Sequence, residues 1–89
     1  MYVIEFTAQA QKDVVALQKH NPQLIKKLAK LLDELREHPR TGTGQVEQLR
    51  HFEHETWSRR LNKEHRLVYE IHENEILVVI VSTYGHYSE

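Results

Sequence analysis

The sequence predicts an α+β fold: one N-terminal strand, two helices, then an antiparallel meander of three or four strands. Three observations carry this. Helical periodicity is confined to the chain before Pro39, the segments after Gly42 and Gly44 are rich in β-branched and aromatic residues, and those segments are joined by turns too short for crossovers.

Tyr2 to Phe6 reads as the first strand, on the β propensity of Val3 and Ile4, and Thr7 stands where a helix N-cap belongs. Between Ala8 and His20, Ala10, Val14 and Leu17 recur at helical spacing, with Gln11, Lys12, Gln18 and Lys19 outward. Asn21-Pro22 reads as a cap followed by a first-turn proline. The second helix is the clearest element, since Leu24, Ile25, Leu28, Leu31, Leu32 and Leu35 fall on one stripe opposite Lys26, Lys27, Lys30, Asp33 and Glu34. It should stop at His38, because a proline disfavours helical backbone in the residue before it. Arg40 to Gln45 reads as a flexible loop. Val46 to Arg50, Thr56 to Leu61, His65 to Ile71 and Ile76 to Thr83 are the later strands, the last three joined by Asn62-Lys63-Glu64 and His72-Glu73-Asn74-Glu75. Ile76 to Val81 is apolar without alternation, which predicts a strand buried on both faces.

Length and composition restrict the function. Eighty-nine residues predict a single domain, 1–89, and the absence of cysteine excludes disulfide staples and thiolate zinc sites, in keeping with a cytoplasmic protein. The six-residue apolar run Ile76 to Val81 is far below the roughly 20 residues of a membrane span, and Met1 leads into Tyr2-Val3-Ile4 without a basic segment. No membrane association and no secretory signal are therefore expected. A formal charge of −1 argues against a uniformly basic nucleic-acid binder, but charge is localised. From Arg50 to Arg66, five cations (Arg50, Arg59, Arg60, Lys63, Arg66) face three glutamates (Glu53, Glu55, Glu64), with His51, His54 and His65 among them.

Strand alternation sorts the candidates between Thr56 and Ile71. Arg59 and Arg60 point to opposite faces, so one can face the site while the other serves RNA, the ribosome or a surface ion pair, and Trp57 shares a face with Arg59 and Leu61. Leu67 and Tyr69 read as core, with Arg66 on the other face. On composition alone Glu47 is a solvent-facing strand residue, Arg66 an exposed ladder residue pairing with Glu64 or Glu70, and His86-Tyr87 a chain end. His51 and His54 with His65 are a weak metal signal, so no metal and no cofactor is expected.

The run Trp57-Ser58-Arg59-Arg60-Leu61-Asn62-Lys63-Glu64-His65-Arg66-Leu67-Val68-Tyr69 closely resembles the W-S-R-R…E-H-R-L-V-Y hairpin of the YoeB/Txe toxins, in the RelE-like group of type II toxin–antitoxin modules. The resemblance extends to the Gly42/Gly44 loop, to Glu47-Gln48-Leu49-Arg50-His51 and to His86-Tyr87, with Gly85 standing before the histidine. It implies a RelE-like fold and an endoribonuclease (mRNA interferase) that cleaves mRNA in the ribosomal A site. The implied partners are the 70S ribosome and mRNA, a YefM/Phd-like antitoxin, a second copy of the chain in a homodimer, and operator DNA through the antitoxin complex. Glu47, Arg66, His86 and Tyr87 match the family's catalytic positions; Arg50, His51, Arg59, Arg60 and Lys63 are the expected RNA- or ribosome-binding set. Metal-free RNA cleavage needs a base for the 2′-hydroxyl proton, a cation beside the phosphorane and an acid for the departing 5′-oxygen, and Glu47, Arg66 and His86 supply those groups. Tyr87 would orient His86 or stack on a base. Two alternatives are a non-catalytic, gyrase-inhibiting ParE-like toxin on the same fold, and a protein-binding module whose sheet receives a partner segment.

Overall fold

The computed structural model describes residues 1–85. Strand β1 (Val3–Phe6) leads into helix α1 (Ala8–His20) and helix α2 (Leu24–Glu37), followed by β2 (Glu47–Leu49), β3 (Thr56–Arg60), β4 (Arg66–His72), a short 3₁₀ turn (Glu73–Glu75) and β5 (Leu77–Ser82). The five strands form one sheet in the order β1-β5-β4-β3-β2. β2 to β5 are the expected antiparallel meander, and β1 joins its edge parallel to β5, with Val3 opposite Leu77 and Phe6 opposite Ile80. The architecture is α+β, with a mixed sheet.

Both helices lie on one face of the sheet. Ala10 and Leu17 of α1 and Leu24, Leu28, Leu31 and Leu35 of α2 pack in a single core with Leu61, Leu67, Tyr69, Ile71, Val78 and Ile80. The α2 stripe is buried as its spacing dictates, with Ile25 and Leu32 at its flanks. Thr7 caps α1 as expected, its hydroxyl accepting from the Ala10 N–H at 3.0 Å.

Three expectations are corrected. Pro22 lies outside α2: the Leu24 N–H donates to the Asn21 carbonyl and the Ile25 N–H to that of Pro22, so 21–23 form a tight turn. Gln23 occupies the cap position without a side-chain bond. β5 alternates between half-buried and buried residues rather than being buried on both faces, because the helices cover only one. Ile76 is exposed and left-handed (φ 51°), closing the 3₁₀ turn instead of starting the strand. The loop after Pro39 is tied down rather than loose. Thr43 donates to Glu34 through both its N–H and its hydroxyl, and the Gly44 carbonyl accepts from the Arg60 N–H. At Gly42 (φ +130°) an added Cβ would sit 2.3 Å from Glu34 Oε1, so both backbone and space require glycine.

Candidate active site

The site is built on the sheet face away from the helices, from alternate residues of β2, β3 and β4. Leu67, Tyr69 and Ile71 turn into the core, so Arg66, Val68, Glu70 and His72 turn out. Register then sets the neighbours. Glu47 is opposite Ser58, Ser58 opposite Val68, and Val68 opposite Ser82 across a one-residue slip in the β4–β5 ladder. Arg60 and Arg66 form the next pair along.

Arg66 is fixed in this frame. Its Nε and Nη2 both donate to the Ser58 hydroxyl, at 3.1 and 2.9 Å, and Nη2 reaches the Gln45 carbonyl at 3.3 Å. Ser58 is therefore the shared point: its strand partner is Glu47, and its oxygen orients the Arg66 guanidinium. Glu47 is exposed at the start of the short edge strand, open to a ligand. Arg60 is half-buried on the same face, and its Nε is buried with no hydrogen-bond partner among the described residues. Cationic groups that cannot neutralise one another lie side by side here, an arrangement suited to a phosphate.

The end of the described chain is brought to this cluster. The Arg66 N–H donates to the Gly85 carbonyl at 3.0 Å, and the Gly85 N–H donates to His65 Nδ1 at 2.9 Å. The His65 ring is buried and stacks on Tyr84, centroids 4.3 Å apart. His86 and Tyr87, expected as acid and orienting group, lie outside the described residues; Gly85, covalently joined to His86, is held beside Arg66.

The expected binding set divides. Lys63 is exposed in the β3–β4 turn, at the same end of the sheet as the Arg60–Arg66 pair. Arg50 and His51 follow β2 at the opposite end, both exposed, with His51 left-handed (φ 67°). Arg59 does not reach the surface. Its side chain is fully buried and donates to Glu34 at 2.8 Å, to the carbonyls of His38 and Thr41 at 2.7 Å each, and to the Tyr69 hydroxyl at 3.1 Å. It is a structural cation that joins α2, the glycine loop and the sheet. Glu34, its ion-pair partner, is held below the usual carboxylate range, first by the Thr43 hydroxyl and N–H and then by Arg59.

Sequence reasoning missed Ser58 and His65 as supporting groups. The signal available was position: serine faces the same side as Arg66 one strand over, and histidine immediately precedes Arg66. His51, His54 and His65 do not assemble; among the described residues His54 meets Glu70 and His72 instead.

The comparisons with known proteins agree with this frame. A curated relative, Toxin YoeB of Synechocystis sp., is 36% identical over 76 residues, which is 85% of this chain and 88% of that protein. Among solved structures, the YoeB dimer from Staphylococcus aureus superposes with a TM-score of 0.82 at 34% identity, covering 97% of this chain and 98% of that one. The YoeB-YefM complex from the same organism gives 0.80 at 33%, covering 98% and 99%. The family described as YoeB-like toxin of bacterial type II toxin-antitoxin system matches residues 6–87, the span that carries the hairpin, Glu47 and the Ser58–Arg66 pair, and the chain belongs to that family.

Proposed function

We propose that this toxin is a ribosome-dependent endoribonuclease that cleaves mRNA in the A site by acid–base chemistry and so stops translation. The observation that carries the reading is the Arg66 guanidinium, oriented by the Ser58 hydroxyl whose strand partner is Glu47. Glu47 accepts the proton of a ribose 2′-hydroxyl, whose oxygen attacks the adjacent phosphorus. Arg66 donates to the non-bridging oxygens as charge gathers on the phosphorane, a role favoured by a donor that needs no reorganisation. His86 gives its proton to the leaving 5′-oxygen, and Tyr87 orients His86 or stacks on a base. The products are a 2′,3′-cyclic phosphate, or the 3′-phosphate from its hydrolysis, and a free 5′-hydroxyl.

Partners follow from the same reading: the 70S ribosome and mRNA, a YefM/Phd-like antitoxin, a second copy in a homodimer, and operator DNA through the antitoxin complex, all in the cytoplasm. The solved relatives from Staphylococcus aureus include a dimer and a YefM complex, which supports the second and third of these. Among the described residues no helix is long and apolar enough to cross a membrane. The deciding experiment is primer extension on cellular mRNA after induction of the chain. Cuts within A-site codons are expected; intact mRNA in cells whose gyrase is inhibited would transfer the chain to the non-catalytic alternative.

A further inference from the structure

The opposite end of the same open face carries a second cluster that RNA cleavage does not use. Glu70 and His72 stand two residues apart on β4 and so project together, and His54 reaches them from the segment between β2 and β3. One ligand atom from each of the three lies within 4.8 Å of the others. His72 Nε2 is 2.9 Å from Glu70 Oε1, and the His54 and His72 rings lie 4.6 Å apart at 37°.

The backbone under this cluster is held at His54 and at the residue that follows it. The Thr56 hydroxyl donates to the His54 carbonyl at 2.8 Å, and the Ile71 N–H donates to the Glu55 carbonyl at 2.9 Å. The far nitrogen of His72, Nδ1, faces Glu75 Oε2 at 3.9 Å. A metal-bound imidazole commonly has a carboxylate at its second nitrogen, which fixes the tautomer and raises its basicity. Beside the cluster is a depression of about 300 Å³ lined by His54, Ile71, His72 and Glu73 to Glu75, room for a ligand or water to complete the coordination.

We propose that His54, Glu70 and His72 form a site for a divalent transition-metal ion of the zinc class, with Glu75 as the outer partner of His72. Two imidazoles and one carboxylate are a zinc donor set, and ligand bonds of about 2.0–2.2 Å would place an ion among atoms already this close. The site is distinct from the proposed chemistry. Arg66 and Glu70 are four residues apart on one strand, roughly 13 Å, and the ion would fasten the β2–β3 connection to β4 without touching the phosphate position.

The test is calorimetric titration of ZnCl₂ into the purified, tag-free, metal-stripped chain, with Co²⁺ absorption as a second readout of coordination geometry. One saturable site per chain is expected, together with a rise in unfolding temperature. His54→Ala and Glu70→Gln should abolish both effects, Glu75→Gln should weaken binding about 10-fold, and His20→Ala should leave it unchanged. His54 is exposed, so its variant should fold as the wild type does, which its unfolding transition without metal verifies. Absence of saturable binding at about millimolar Zn²⁺, or an affinity that survives both His54→Ala and Glu70→Gln, would overturn the proposal. Cleavage that persists in the variants leaves the proposed RNA chemistry untouched, so the two readings can fail separately.

Discussion

The Arg66 N–H donates to the Gly85 carbonyl at 3.0 Å, so the residue proposed to hold the phosphate also holds, through its backbone, the residue preceding the proposed acid. His65 completes the clamp by accepting the Gly85 N–H. His65→Phe keeps a ring against Tyr84 but removes that acceptor. A hydrogen bond of about 0.5–1.5 kcal/mol corresponds to a roughly 2- to 10-fold loss in single-turnover cleavage, with ribosome affinity unchanged. Full activity in this variant would show that the clamp does not serve catalysis.

The chemical roles should separate from the binding roles. An acid or base contributes about 10²–10⁴ in rate and a charge-stabilising donor about 10²–10³. Glu47→Gln, Arg66→Ala and His86→Ala should therefore lower cleavage by saturated complex far more than they lower binding. Arg50→Ala and Lys63→Ala should weaken affinity and its salt dependence while sparing the chemical step. A substrate whose 5′-oxygen is replaced by sulfur releases a thiolate that needs no proton. If His86→Ala is as defective on that substrate as on RNA, His86 is not the acid.

Arg59 and Arg60 should behave oppositely although adjacent. Arg59→Leu leaves Glu34 and the His38 and Thr41 carbonyls without their cation and is expected to cost about 3–5 kcal/mol of stability. Arg60→Ala should shift stability little and reduce RNA affinity. Urea unfolding and RNA-binding titrations on the two variants check both halves.

Gly42→Ala should destabilise by about 1–3 kcal/mol, since the new methyl group meets Glu34 Oε1 and Arg59 Nη1 at a φ of +130°. Thermal unfolding reads the effect directly.

Stability should fall in acid through Glu34. Its folded pKa is lowered, so its contribution is complete above the unfolded carboxylate value near 4.5 and is lost as pH drops through the folded value. Glu34→Gln should start less stable at neutral pH and lose less on acidification. Denaturation midpoints measured from pH 7 downward should converge for the two proteins.

Periodicity made the helices and the meander legible. The α2 stripe is buried because leucines three and four apart share one side of a helix, and Asn62 turns the β3–β4 hairpin by accepting the N–H groups of Glu64 and His65. The pairing of β1 with β5 was not legible, since no local pattern states which edge an N-terminal strand will join. Nor was the burial of Asp13, which accepts from Gln9 and from the Thr83 N–H, a residue 70 positions away. Arg59 is the instructive case. Its face was readable from Trp57 and Leu61, but its burial depends on acceptors in α2 and the glycine loop that meet only in the folded chain.

The parallel seating of β1 on β5 also sets an order of events during synthesis. The first strand has no partner until residues 77–80, near the end of the described chain, have been made. Contacts of such long sequence separation form late and slowly. A nascent copy therefore exposes an unpaired β1 edge and an unfinished core while its own ribosome is still translating it. The frame under Ser58 and Arg66 gains its full support only once β5 has seated between β1 and β4.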